Sequence, residues 1–126
     1  MANILIVDDD SAVADVIALV LEQADYTALT TSTIGEAKAH IERGDVAGAL
    51  IDVWLQDEDG LSLAAHLAEK DPTFPFIIMS GGGPGRSLET VTARADSFGA
   101  HHVLYKPFDD DELLSAVEKI AKVKQI

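Results

Sequence analysis

Short, continuous runs of aliphatic and β-branched residues recur along this chain. Each is followed by a stretch whose apolar residues fall at helical spacing, and that alternation leaves few folds open. Ile4-Leu5-Ile6-Val7, the run from Ala47 to Ile51, Phe76-Ile77-Ile78-Met79 and Val103-Leu104-Tyr105 are apolar throughout. Unbroken runs of this kind mark strands covered on both faces. A weaker strand is expected near Tyr26–Thr30. Val13, Val16, Ile17, Val20 and Leu21 mark a first helix. Ile34, Ala37 and Ile41 mark a second, opened by a Thr33/Glu36 capping box and ended by Gly44. Leu61, Ala64, Leu67 and Ala68 mark a third; Leu88, Val91, Ala95 and Phe98 a fourth, closed by Gly99; Leu113, Leu114, Val117 and Ile120 a fifth, capped by Asp109 with Glu112 three residues on. Strand–helix units in series imply a parallel sheet with helices on both faces. With helices this short, an open sheet fits better than a closed eight-unit barrel, and the 126 residues are expected to form one domain over 1–126. The expected architecture is α/β: a doubly wound, five-stranded parallel sheet in the order 2-1-3-4-5 with five helices.

Composition narrows the function. The net charge is −13, with 22 acidic against 9 basic side chains. A nucleic-acid backbone would repel such a surface, so direct nucleic-acid binding is not expected. Cysteine is absent, which rules out disulfides and thiolate metal sites. No apolar run approaches the ~20 residues needed to span a bilayer, and no secretory signal is read, so a cytoplasmic location is expected. The four histidines show no metal-ligand spacing.

In the expected strand order, the first, third, fourth and fifth strands are consecutive neighbours. Their carboxyl ends bring Asp8, Asp9 and Asp10 together with Asp52, Ser80 and Lys106. Two carboxylates ~4 Å apart repel by roughly 4 kcal/mol at an effective dielectric of about 20, so Asp8, Asp9 and Asp52 call for a cation, and losing one acid is expected to relieve strain. An all-oxygen donor set suits Mg²⁺. With the acids neutralised, a carboxylate can attack phosphorus, while Ser80 and Lys106 bind the other phosphoryl oxygens. The Gly81–Gly85 stretch with Arg86 fails the Walker A pattern, because Arg86 replaces the lysine and Ser80 the first glycine.

These residues carry a resemblance along essentially the whole chain. Ile4 to Asp10, Leu50-Ile51-Asp52 with Asp59-Gly60 beyond it, Ile78-Met79-Ser80-Gly81 and Tyr105-Lys106-Pro107-Phe108 stand in order at strand ends. Together they resemble the receiver domains of two-component response regulators, chemotaxis-regulator-like, which implies a flavodoxin-like fold. The resemblance implies that Asp52 is the phosphoacceptor and that Mg²⁺ is held by Asp8, Asp9, Asp52 and the backbone carbonyl of Trp54. It further implies that Ser80, Gly81 and Lys106 form the phosphoryl-binding switch and that the Lys106–Pro107 bond is cis. Implied partners are a histidine kinase or histidine phosphotransfer protein and a downstream protein target, with a homodimer open. Such a domain catalyses only its own phosphorylation and dephosphorylation.

Three features depart from that pattern. Gln56 replaces a common proline. Val103 stands at a switch position where the family often has an aromatic, and Tyr105 is expected on the wrong strand parity to replace it. The loop after Ser80 is long and glycine-rich, and ordering of residues 81–87 is expected to accompany switching. Trp54 is expected at the site mouth. Other readings are a receiver-like binding module that is not phosphorylated, or the receiver part of a larger regulator. A flavin-type cofactor site fits poorly, since the aspartates would repel a cofactor phosphate. A phosphatase would need a second acid where Trp54 stands.

Overall fold

The computed structural model describes residues 3–55, 59–81 and 88–123, apart from the side chains of 88–91 and 122–123. The elements alternate as β1 (Asn3–Val7), α1 (Ser11–Gln23), β2 (Thr27–Thr31), α2 (Ile34–Arg43), β3 (Gly48–Asp52), α3 (Gly60–Lys70), β4 (Phe76–Ser80), α4 (Leu88–Ser97), β5 (His102–Tyr105) and α5 (Asp110–Val123). The five strands pair in parallel in the order β2-β1-β3-β4-β5. Of the expected strands, the second and third lie one residue further along the chain.

Strand alternation splits the core in two. Leu5 and Val7, Ala49 and Ile51, and Phe76 and Ile78 point to one face, where they meet Ile34 and Ala37 of α2, Leu61 and Ala64 of α3 and Ala95 of α4. Ile4 and Ile6, Leu50, and Ile77 and Met79 point to the other, against Ile17 and Leu21 of α1 and Leu113, Val117 and Ile120 of α5. Both faces of the central strands are therefore apolar, which is why their sequences read as continuous hydrophobic runs.

The helix starts are set by local hydrogen bonds. Asp10 Oδ1 accepts from the N–H groups of Ala12 and Val13 at 3.1 and 3.3 Å and so caps α1. Thr33 Oγ1 accepts from Glu36 N at 3.2 Å, and Asp109 Oδ1 accepts from Glu112 N at 2.8 Å. Gly44 ends α2 at φ 76°, a left-handed conformation that favours glycine. These caps fix where each loop leaves the sheet, and so which residues stand at its carboxyl edge. Among the described residues, no helix is long and apolar enough to cross a membrane.

Candidate functional site

Parallel strands place all their carboxyl ends on one edge. There Asp8 follows β1, Asp52 and Ser80 end β3 and β4, and Lys106 follows β5. Asp8, Asp52 and Ser80 are buried, at 2%, 4% and 1% exposure, while Asp9 is exposed. Lys106 Nζ donates to Asp8 Oδ2 at 2.9 Å and to Asp52 Oδ2 at 3.1 Å. The remaining oxygens are held from the backbone: Asp8 Oδ1 accepts from Asp10 N at 3.0 Å, and Asp52 Oδ1 from Trp54 N at 3.2 Å. Each buried carboxylate thus has one oxygen fixed by a main-chain N–H and the other by a shared ammonium.

Burial pushes the Asp52 carboxyl up to about 6; the Lys106 charge opposes this, the Asp8 charge reinforces it, and hydrogen bonds from Lys106 and Trp54 oppose it. Burial alone would lower Lys106, but the hydrogen bond to Asp8 and the charges of both acids outweigh it and hold the ammonium above the ordinary lysine range. The sequence-based expectation that removing any one acid relieves strain is refined accordingly. Loss of Asp8 also takes a partner from Lys106, whereas loss of exposed Asp9 leaves the bridged pair intact.

Asp8, Asp9 and Asp52 each offer one carboxylate oxygen to a group in which these three atoms lie within 4.8 Å of one another. One ammonium against three carboxylates leaves an excess of negative charge, and every donor is a hard oxygen. That set fits a divalent cation that prefers oxygen ligands, and Asp9 keeps one side open to solvent.

Other expected residues fall around this centre. The Lys106–Pro107 peptide is cis, and Phe108 packs against the core on the α1/α5 side. Gly81 lies beside Lys106: a Cβ there would stand 3.9 Å from the lysine side chain, an ordinary contact. Trp54 is half-buried and packs against the core on the α2/α3 side. Val103 packs against that same core, while Leu104 belongs to the opposite one. The expectation for Tyr105 is corrected here. Residues two apart on a strand share a face, so Tyr105 lies with Val103, and its hydroxyl shares a hydrogen bond with the Thr92 hydroxyl of α4. Gln56 and residues 82–87, including Arg86, lie outside the described residues.

Gly60 is a requirement the sequence reading missed as such. A Cβ on Gly60 would stand 2.0 Å from the Asp52 carbonyl oxygen, so only glycine lets α3 start against the end of β3. Its N–H donates to Val53 O at 3.0 Å, and Asp59 before it caps α3 through Leu61 N at 2.9 Å. The Asp59-Gly60 pair in the sequence was the available signal.

An acidic cluster and a lysine at the point where a doubly wound sheet reverses direction make a class of site suited to a cation and phosphate. The family model for the response regulator receiver domain matches residues 4–118. The chain belongs to that family, the receivers of two-component systems. It is 34% identical over 119 residues to the nitrogen assimilation regulatory protein NtrX of Azorhizobium caulinodans, covering 93% of this chain and 25% of that protein. Its fold is similar to a CheY-like response regulator receiver domain protein from Methanospirillum hungatei, with TM-score 0.86, 31% identity and coverage of 99% and 98% of the two chains. It is also similar to the beryllofluoride-activated NtrC4 receiver domain dimer, with TM-score 0.85, 27% identity and coverage of 98% and 100%. The chain spans about a quarter of the length of its NtrX-type curated relatives.

Proposed function

We propose that this receiver is a phosphorylation-controlled switch that accepts a phosphoryl group from a phosphohistidine donor onto Asp52. The observation that carries this reading is the Lys106 ammonium bridging Asp8 and Asp52, both buried at the carboxyl edge of the sheet. Asp8, Asp9, Asp52 and the Trp54 carbonyl would hold Mg²⁺, which when bound supplies charge neutralisation of the acids and of the phosphoryl oxygens.

The chain's own groups account for the rest. The Trp54 N–H holds Asp52 Oδ1 and fixes the carboxylate plane. An Asp52 oxygen forms the new bond to phosphorus as the phosphorus–nitrogen bond of the donor breaks, and the electron pair leaves with the imidazole. Lys106 then exchanges its contact with Asp52 for a phosphoryl oxygen, and the Ser80 hydroxyl donates to another. Return to the starting state is hydrolysis of the acyl phosphate by water. The only chemistry assigned to the domain is this self-phosphorylation and self-dephosphorylation.

A histidine kinase or a histidine phosphotransfer protein is the proposed donor, and a protein target reads the result. The dimeric NtrC4 receiver supports a second copy of this chain as a further partner. The longer NtrX relatives support a receiver acting within a larger regulator. Incubation with Mg²⁺ and acetyl phosphate, followed by intact mass, tests the reading. Wild type is expected to gain one phosphoryl group, and Asp52→Asn none. Equal gain in both would overturn the assignment of Asp52.

A further inference from the structure

We propose that the cleft between α2 and α3 binds a small zwitterion of the amino-acid type, its carboxylate held by Lys38 and His66 and its ammonium by Glu42 and Asp71. The cleft shares no residue with the acidic centre, and the proposal does not rest on the phosphoacceptor reading of Asp52. It is a cavity of about 360 Å³, within the range of small-molecule sites. Its floor is apolar: Leu67 is buried, Ile41 is half-buried, and both pack into the core behind the cleft. Its walls are polar, with Lys38 and Glu42 on α2, His66 and Lys70 on α3, and Asp71 at the C-cap of α3.

The charges lie on two levels. Both helices cross between parallel strands, so they run in the same direction. Lys38 and His66 line the earlier turn. Glu42 follows Lys38, and Lys70 and Asp71 follow His66, by about one helical turn, a rise of about 5.4 Å. The first level offers an ammonium and an imidazole N–H, both donors to a carboxylate. The second sets two carboxylates against the one ammonium of Lys70, which lies 4.0 Å from Glu69 in solvent and gains little there. Among the described residues, Lys38, Glu42 and His66 make no hydrogen bond or ion pair. Lys38 precedes Glu42 by one turn, the less favourable order for an ion pair within a helix. The groups facing the cleft are thus free to meet a ligand. The net charge of −13 selects its class. A bare anion meets a repulsive field, and a bare cation is held more strongly by the three carboxylates at the sheet edge. A zwitterion carries no net charge, and a short methylene body lies on Ile41 and Leu67 while its two ends reach the two levels.

The test is an NMR titration of backbone amides in the full chain with δ-aminovalerate, valerate and amylamine, on wild type, Lys38→Gln and Glu42→Gln. Wild type is expected to bind δ-aminovalerate with a Kd on the order of 1 mM, with shifts concentrated in residues 38–42 and 66–71. Valerate and amylamine each lack one charge and are expected to bind wild type about tenfold more weakly. Each variant is expected to bind δ-aminovalerate about tenfold more weakly, the size of one charge-assisted contact. Both variants are expected to melt with wild type and to take up the phosphoryl group from acetyl phosphate as wild type does, which separates the cleft from the fold and from Asp52. No shift with δ-aminovalerate, shifts spread beyond the cleft, valerate or amylamine binding as tightly as the zwitterion, or variants that bind as wild type does would each overturn the proposal and leave the Asp52 reading standing.

Discussion

The end of α2 and the carboxyl edge of the sheet each hold a small ionic cluster, and the two behave in opposite ways. Beyond α2, Asp45 Oδ2 lies 3.1 Å from His40 Nδ1 and 3.0 Å from Arg43 Nε. At the sheet edge, Asp52 lies 3.1 Å from Lys106. The hydrogen bonds from Arg43 and then His40 hold the Asp45 carboxyl below its usual range. Asp52 is pushed up to about 6 although it too faces a cation, because burial outweighs Lys106. Desolvation decides the sign, and a carboxylate kept buried against a second acid is a feature of sites rather than of scaffolds. The glycines repeat the contrast. A Cβ on Gly35 in α2 would meet nothing within 4 Å, whereas one on Gly60 would strike the Asp52 carbonyl.

The strongest way to break this contrast is to remove the buried cation. Lys106→Met leaves Asp8 and Asp52 facing each other, and in chelator at neutral pH it is expected to cost about 3 kcal/mol in urea unfolding. Arg43→Gln, at the solvated cluster, should leave the unfolding midpoint unchanged within error. Similar behaviour of the two variants would erase the distinction.

A pH titration sharpens it. Asp52 ionises at about 6 in the folded chain, against an ordinary value of 3.8. As pH rises through that window the unfolded chain gives up its proton first, so stability in chelator should fall, by on the order of 2 kcal/mol. Asp52→Asn should flatten that fall. The raised Lys106 acts in a separate window, contributing stability at neutral pH that is lost as pH climbs through its folded value. Asp45, shifted down, contributes stability that is lost only as pH drops below the ordinary aspartate range. A wild-type profile that is level between pH 4 and 6 would contradict the buried charge.

An effect of similar size separates the glycines. Gly60→Ala is expected to lose about 2 kcal/mol through forced displacement of the β3–α3 junction, and to slow phosphoryl uptake as Asp52 shifts. Gly35→Ala, in open space within a helix, should be neutral or gain up to about 1 kcal/mol. Thermal melts of the two variants check both.

Much of this arrangement was legible in the sequence, and for a physical reason. Ile4 to Val7 and Phe76 to Met79 are apolar on both faces because both faces are covered, so their strands, and the polar residues that end them, announce themselves. Asp8, Asp52, Ser80 and Lys106 follow from strand order alone. The bounds of the less buried edge strand β2 and of the fully buried β3 both lie one residue beyond their apolar runs, because apolar pattern marks a strand better than it marks its ends. Two features needed coordinates. That one ammonium bridges two acids is a matter of side-chain reach. The contact behind Gly60 depends on how closely α3 approaches the Asp52 carbonyl. The place of Tyr105 was open to strand alternation and was assigned to the wrong face, which hid its contact with Thr92.

Peptide mapping of the acyl phosphate tests the central claim most directly. Protein treated with Mg²⁺ and acetyl phosphate is digested at low pH and the modified peptide sequenced by mass spectrometry. The phosphoryl group is expected on Asp52 alone, and its appearance is expected to require Mg²⁺ and to fall at least tenfold in Asp9→Ala. Label at a serine, a threonine or another aspartate, or equal label in chelator, would contradict the account.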